Sequence, residues 1–357
     1  MIIGIDISPV LYGTGVSVYT KRLVEHLLKI DNENEYLLFG GSLRRKPELY
    51  SFVEGLKGNY KSKIISFPPT LSDYLWNKMH VFRIEKITGR LDLFHSSDWA
   101  EPPSNAVKVT TVHDLTPFKF PEIMDPKLVR AHKLRLRWVK KETRCLIVPS
   151  YSTKSDLLEM GFNEERIVVI PEGVDNIKKS THDEIEKLKK KKGIFKNYYL
   201  DVGVGYRKNT DKLIQAFNNL SNNEFELVLV GINRTNNKTT GNVKFLGHVT
   251  DAELNVLFSG ASALAYPSLY EGFGLPILQA FQAGCPVVTS NTSSMPEVAG
   301  NAAILVDPYS VESITKGLEK VLSDRDNLVS LGKQRVKEFT WEKMAKSTLE
   351  VYKFLLN

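Results

Sequence analysis

A carboxylate beside flexible backbone at the start of a helix can hold a hydroxyl-rich, phosphorylated ligand, and one stretch of this chain has that make-up. Glu271-Gly272-Phe273-Gly274-Leu275-Pro276 runs into Ile-Leu-Gln279-Ala-Phe-Gln-Ala-Gly284 and then Cys285-Pro-Val-Val-Thr289. Pro near the first position and Gly just past the end predict a short helix between a loop and a buried strand. The unpaired N–H groups and dipole of such a helix favour phosphate. A second cluster, Asp201-Val-Gly203-Val204-Gly205-Tyr-Arg207-Lys208-Asn209, closes one predicted strand and opens a helix. Two cations there can neutralise charge developing on a diphosphate leaving group. The plainer readings are a capped helix start for the first and a solvated one for the second.

Other polar groups fall at predicted strand ends, where open parallel sheets bind ligands. Leu11-Tyr-Gly13-Thr-Gly15 is a glycine turn opening a helix, which permits close approach of backbone to a phosphate or an acceptor. Thr111-Val-His113-Asp114 ends another strand, and His95, Ser96 and Asp98 follow the one before it. No Gly-x-Gly-x-x-Gly with an acidic residue some twenty positions on is present, which argues against NAD.

The Glu271–Pro276 stretch resembles the nucleotide-sugar signature of the retaining family-4 (group 1) GT-B glycosyltransferases, which include bacterial mannosyltransferases. The likeness runs from the first strand to the last helix. It implies transfer of a mannose- or glucose-type sugar from a nucleoside-diphosphate sugar to a hydroxyl of a glycan or lipid-linked acceptor. It also implies no cofactor and no metal, the donor diphosphate being met by protein cations and helix dipoles, with front-face attack. Under it Glu271 and His113 hold the donor sugar, Lys208 with Arg207 clamps the pyrophosphate, and Gly13, Gly15, Gly203, Gly205, Gly272, Phe273, Gly274 and Leu275 supply close backbone. Gln279 meets the ribose diol, His248 and the Gly231–Arg234 segment lie near the base, Ser268 steers the loop, and His95, Asp98 and Asp114 face the acceptor. Pro296-Glu297 is a structural turn.

Two positions depart from the pattern. Gln279 stands where relatives carry a second acidic residue, and Val204 with a shortened turn stands where many have Arg before the Lys. These departures keep open a degenerate GT-B subunit that binds a nucleotide sugar without transferring it. A GT-B epimerase or phosphorylase is the other alternative.

The elements that must position these residues alternate strand and helix throughout, the pattern of doubly wound parallel sheets. Strands are predicted at Ile2–Ser8, Tyr36–Gly40, Ser62–Phe67, Leu91–Ser96, Lys108–Asp114, Cys145–Ser150 and Ile167–Pro171, with helices at Val16–Leu28, Asp73–Ile87, Asp125–Arg144 and Ser152–Met160. The polar, basic stretch Lys178–Lys192 reads as an interdomain connection whose helix packs little. Six further strands are expected, at Tyr198–Gly203, Phe225–Gly231, Val243–His248, Ala263–Pro267, Pro286–Ser290 and Ala303–Val306. The fold class is therefore α/β, with two Rossmann-type domains, 1–175 for the acceptor and 176–340 for the donor, facing a cleft. The resemblance returns a last helix, 341–357, to the first domain. At 357 residues two domains are the expected number.

Composition excludes several classes. Apolar content of 42% and charge of 25% are those of a globular protein, and no run of 18 apolar residues occurs. Cys145 and Cys285 sit in apolar strand patterns, so no disulfide framework exists and buried thiols are expected. With few cysteines and a strand at the N-terminus, a cytoplasmic location is expected, peripheral on the inner membrane face if an anionic surface is a partner. The net charge of +7 is spread over both halves, which argues against a nucleic-acid domain. The local exception is Lys127–Arg144, with eight cations against Glu142. A solvated face and an anionic membrane contact are its two readings.

Overall fold

The computed structural model describes the chain apart from residues 97, 177, 222 and 234–240. Contacts divide it into two units, residues 1–173 with 341–357, and 174–340. In the first, strands β1 (Ile2–Asp6), β2 (Glu35–Gly41), β3 (Tyr60–Ile65), β4 (Leu93–Ser96), β5 (Val107–Thr111), β6 (Cys145–Val148) and β7 (Ile167–Val169) form one parallel sheet in the order β3-β2-β1-β4-β5-β6-β7. In the second, β8 (Asn197–Val202), β9 (Phe225–Val230), β10 (Val243–Gly247), β11 (Ala263–Tyr266), β12 (Val287–Ser290) and β13 (Ala303–Val306) pair in the order β10-β9-β8-β11-β12-β13. The likeness of the two orders follows from one rule applied twice: the first strand of each unit becomes central, and the chain then winds outward to either side.

Strands covered by helices on both faces read as unbroken apolar runs, because neither face meets water. Leu227-Val228-Leu229-Val230 shows it: Val228 and Val230 pack into one cluster, Leu227 and Leu229 into another on the opposite face. The order reverses next to β1, between β2 and β4, and next to β8, between β9 and β11. Each reversal splays the flanking connections apart and leaves a crevice at the carboxyl ends of the strands.

The last helix, Trp341–Leu356, packs along Gly15–Ile30 of the first unit, and Tyr352 at its end is fully buried. Both cysteines are free and buried, and burial raises the thiols to about 11 for Cys145 and about 12 for Cys285, which keeps them unreactive.

Three stretches came out differently from expectation. The expected helix over 73–87 is broken into a π-helical turn, Asp73–Lys78, and a short helix, Glu85–Thr88, because His80 and Phe82 adopt positive φ between them. Tertiary partners hold that break: the Trp76 indole donates to the Phe82 carbonyl, and His80 stacks on Trp138 at 3.6 Å while bonding Glu142. A helix, Lys46–Glu54, forms where none was expected, anchored by buried Leu49 and Val53. The helix expected to pack little forms at His182–Lys192 but lies on Asp251–Gly260. Buried Leu188 and the pairing of Lys191 and Lys192 with Glu253 fix it there.

Candidate functional site

The connection leaving β8 carries the first cluster. Gly203 (φ +100°) and Gly205 (φ +143°) turn the chain into helix Thr210–Asn218, in a conformation closed to most L side chains. A Cβ at Gly203 would lie 2.7 Å from Lys208 Cε, so the glycine also makes room for the lysine stem. The Gly203 amide donates to the Val230 carbonyl, and Gly231 bridges to Gly247, which draws the ends of β8, β9 and β10 together.

The connection leaving β11 meets it. Lys208 Nζ donates to Glu271 Oε1 and to the Tyr266 hydroxyl, each at 2.6 Å, and stands 4.7 Å from the centre of the Tyr266 ring. Arg207 donates to Glu271 Oε2 at 2.6 Å and to the Tyr270 carbonyl at 2.7 Å. The Leu269 amide donates back to the Arg207 carbonyl, locking the two connections together. One carboxylate thus faces two cations at the β8/β11 reversal.

Burial works against ionising Glu271, which is 7% exposed, but Lys208 and then Arg207 outweigh it and hold the carboxyl down at about 2. Asp201, at the end of β8, is the opposite case. It is fully buried with no side-chain partner, and burial raises its pKa well above the usual range despite the field of Lys208. Burial thus opposes the charged form of Asp201, within the field of Lys208.

The rest of the loop is set by serines and glycine. The Ser293 hydroxyl donates to the Glu271 carbonyl and accepts from the Glu271 amide, while Ser294 donates to the carbonyls of Glu271 and Phe273. Gly274 (φ +112°) then caps helix Leu275–Ala283. Gly272 and Phe273 are buried, Leu275 and Gln279 are half-buried, and Ser268 is fully buried with its carbonyl accepting from Ser290. His248 is exposed just past β10. Of the Gly231–Arg234 segment, Arg234 lies outside the described residues.

In the first unit, Gly13 and Gly15 lead into helix Gly15–Ile30, and the Gly13 amide donates to Ser17 Oγ. His113, past β5, bonds the Glu172 carboxylate through Nδ1 at 3.1 Å and meets Tyr19 edge-on at 4.6 Å. Burial lowers its pKa, but the Glu172 contact and the charges of Asp98 and Asp114 win, and the net shift is upward. Glu172 is a partner that sequence reasoning missed; the one signal was an acidic residue directly after the expected strand Ile167–Pro171. The Asp114 carboxylate accepts the Thr116 amide and so caps a short turn.

His95 does not face open space. It is 3% exposed, with Nδ1 on the Tyr352 hydroxyl at 2.5 Å and Nε2 on Thr111 Oγ1 at 2.9 Å, and burial lowers its pKa to about 3. Its neutral ring ties the last helix to β5. Asp98 is half-buried, and its Oδ1 is enclosed without a hydrogen-bond partner. Arg135, counted in the basic stretch, turns inward at 2% exposure and donates to Thr110.

The chain resembles known proteins over nearly its whole length. Residues 183–338 match the family model described as glycosyl transferases group 1, and residues 13–176 that of glycosyltransferase family 4. The chain is 27% identical to the O-antigen chain mannosyltransferase B of Escherichia coli over 98% of both proteins. Among solved structures it is similar to the sucrose-phosphate synthase of Thermosynechococcus elongatus, with TM-score 0.75, 18% identity and 99% of both chains covered. It is also similar to Anabaena HepE in complex with UDP-glucose, with TM-score 0.70, 16% identity and 99% of both chains covered.

Proposed function

From the premise that the chain belongs to the group 1 glycosyltransferases of GT-B architecture, we propose that it moves a mannose-type hexose from a nucleoside-diphosphate sugar to a hydroxyl of a glycan or lipid-linked acceptor, with retention. The observation carrying this reading is the pair of cations, Arg207 and Lys208, held on Glu271 at the β8/β11 reversal. The mannosyltransferase relative supports the sugar class, and the UDP-glucose bound by the Anabaena protein supports the donor class.

The chemistry follows from the charges. A diphosphate entering beside Gly203–Gly205 takes Arg207 and Lys208 as counter-ions, which releases the Glu271 carboxylate to accept hydrogen bonds from the sugar hydroxyls. As the anomeric carbon–oxygen bond breaks, the charge gathering on the departing phosphate oxygen is met by cations already in place. That oxygen takes the acceptor proton, and the acceptor oxygen attacks from the same face. His113, held by Glu172, is assigned to the transferred sugar. A thermal-shift screen of nucleoside-diphosphate sugars tests the donor: a ligand at 100 times its Kd adds about 2.7 kcal/mol of stability. Transfer is then assayed with the sugar that binds, and absence of any nucleotide-sugar stabilisation would overturn the reading.

Because the leaving charge is met by Arg207 and Lys208, turnover is expected to survive excess EDTA. Loss on chelation with rescue by magnesium or manganese would show that a metal carries that charge instead.

We also propose that the helix Pro126–Glu142 and its continuation meet an anionic membrane. With Arg135 turned inward, Lys127, Arg130, Lys133, Arg137, Lys140, Lys141 and Arg144 remain exposed. Met79, Val81 and Phe82, in the segment preceding the short helix Glu85–Thr88, are each about half exposed (47–50%). Among the described residues no helix is long and apolar enough to cross a membrane. Arg130 already pairs with Asp73, Lys140 with the Met160 carbonyl, and Lys127 lines a pocket, so the informative substitutions are Lys133, Arg137 and Arg144 to Gln. Each is expected to weaken binding to phosphatidylglycerol vesicles about fivefold at low salt, with turnover on a soluble acceptor unchanged. A parent protein that stays in the supernatant would make this a solvated face.

A further inference from the structure

Two pockets of the first unit meet at Trp99. One, of about 310 Å³, opens beyond the ends of β1 and β2, and its wall includes the aromatic side chains of Tyr12, Phe39, Phe67, Trp76 and Trp99. The other, of about 680 Å³, lies between the turn Asp73–Lys78 and the basic helix, with Tyr74, Leu128 and again Trp99 in its wall. The four-residue helix Pro69–Ser72 stands between them, presenting Pro69 and Ser72 to the first pocket and Thr70 to the second. The indole is held in place: its N–H points to the Pro69 carbonyl at 3.5 Å, and its ring meets His132 edge-on at 6.0 Å.

The inner end of the first pocket is polar. Asp6 lines both it and a small cavity that also contains His113 and Asp98. Each outer wall carries a partly exposed tyrosine, Tyr12 at 37% and Tyr74 at 48%.

We propose that the two pockets form one acceptor trough for a glycan of at least two consecutive pyranose rings, with the terminal ring in the inner pocket and the preceding ring across Trp99. The proposal rests on the glycosyltransferase reading and adds to it which acceptor is recognised and in which direction. The hydroxyls of the terminal ring lie beside Asp6, and the rest of the chain leads away past Tyr74. Aromatic faces are electron-rich and attract the weakly positive C–H face of a pyranose, while hydroxyls at the ring edge need polar partners. Both pockets supply that combination, with Ser42 and Arg44 at the first and Asp73, Lys78 and Lys127 at the second. A purely aliphatic occupant would cover those charges and return nothing to them.

The test is calorimetric binding of linear manno- and gluco-oligosaccharides of one to six rings to the whole protein, without donor. Affinity of at least one series is expected to rise about tenfold between one and three rings and then level off. Trp99→Ala should flatten the rise, Trp99→Phe should keep part of it, and Tyr74→Ala should remove only the outer increment. Binding of the nucleoside diphosphate, measured on the same samples, should be the same in all three variants, which reports both folding and the donor site. Equal affinity at every length, a rise that survives Trp99→Ala, or no binding by either series would overturn the proposal. So would farnesyl phosphate binding that is stronger than the longest glycan and lost in Trp99→Ala. A preserved length dependence with no nucleotide binding would instead refute the donor reading alone.

Discussion

Replacing Glu271 by Ala is expected to lower turnover at least about a hundredfold, because a charged hydrogen-bond acceptor for the sugar is lost, and to destabilise the fold as well. The second effect is a consequence of the ion pairs. As a loop carboxylate Glu271 would contribute little to stability, but it is 7% exposed and is the counter-ion of both Arg207 and Lys208. Its removal leaves two half-enclosed cations facing each other, a change of about 3–5 kcal/mol where such charges are fully buried. The cations here keep side-chain exposures of 22% and 17%, which places the expected loss toward the lower figure. Glu271→Gln keeps the shape and loses the charge, so it should lose activity with a smaller fall in Tm. The nucleoside diphosphate, whose competitor for the cations has gone, should bind the Ala variant at least as tightly as the parent. Weaker diphosphate binding would refute the counter-ion exchange.

The same residue sets an acid limit. Its carboxyl lies near 2 in the folded protein against 4.5 ordinarily, so its contribution to stability is complete above about pH 4.5 and is lost as pH falls toward 2. The parent Tm should therefore fall across that window, and the Gln variant should fall less steeply.

Lys208→Ala is expected to cost roughly 2–4 kcal/mol of transition-state stabilisation, read from kcat/KM, and to weaken nucleoside-diphosphate binding. Lys208→Met controls for packing, since the stem that fills the space over Gly203 and the Tyr266 ring is retained without the charge. Both variants should be similarly slow. Recovery of activity in the Met variant would show that the stem, and not the ammonium, matters.

Much of the local structure was legible because it is local physics. The apolar runs at Leu227–Val230 and Cys145–Val148 announce strands covered on both faces. The glycine ending helix Leu275–Ala283 is needed because the chain there turns left-handed, at φ +72°. Failures came where distant partners overruled propensity. Helical periodicity continues through residues 73–87, but the stacking of His80 on Trp138, 58 positions away, favours a break. The basic run after His182 looked solvated because its packing depends on one apolar stripe, Ile185 and Leu188, meeting a helix whose sequence lies beyond it.

Sequence by itself determined the two parallel α/β units, the strand that opens each, and which loops carry glycine, cation and carboxylate, since all of these follow from periodicity and residue type within a dozen positions. Only the tertiary structure decided what those residues do to one another. It brought Glu271 onto Arg207 and Lys208 and left the Asp201 carboxyl buried without a hydrogen-bond partner, its pKa raised. It gave His113 a carboxylate in Glu172, and it enclosed His95 between Thr111 and Tyr352 of the last helix. The physical reason is common to all four. A side chain's charge state depends on burial and on partners within about 4 Å, and in a doubly wound sheet those partners come from strands far apart in the chain.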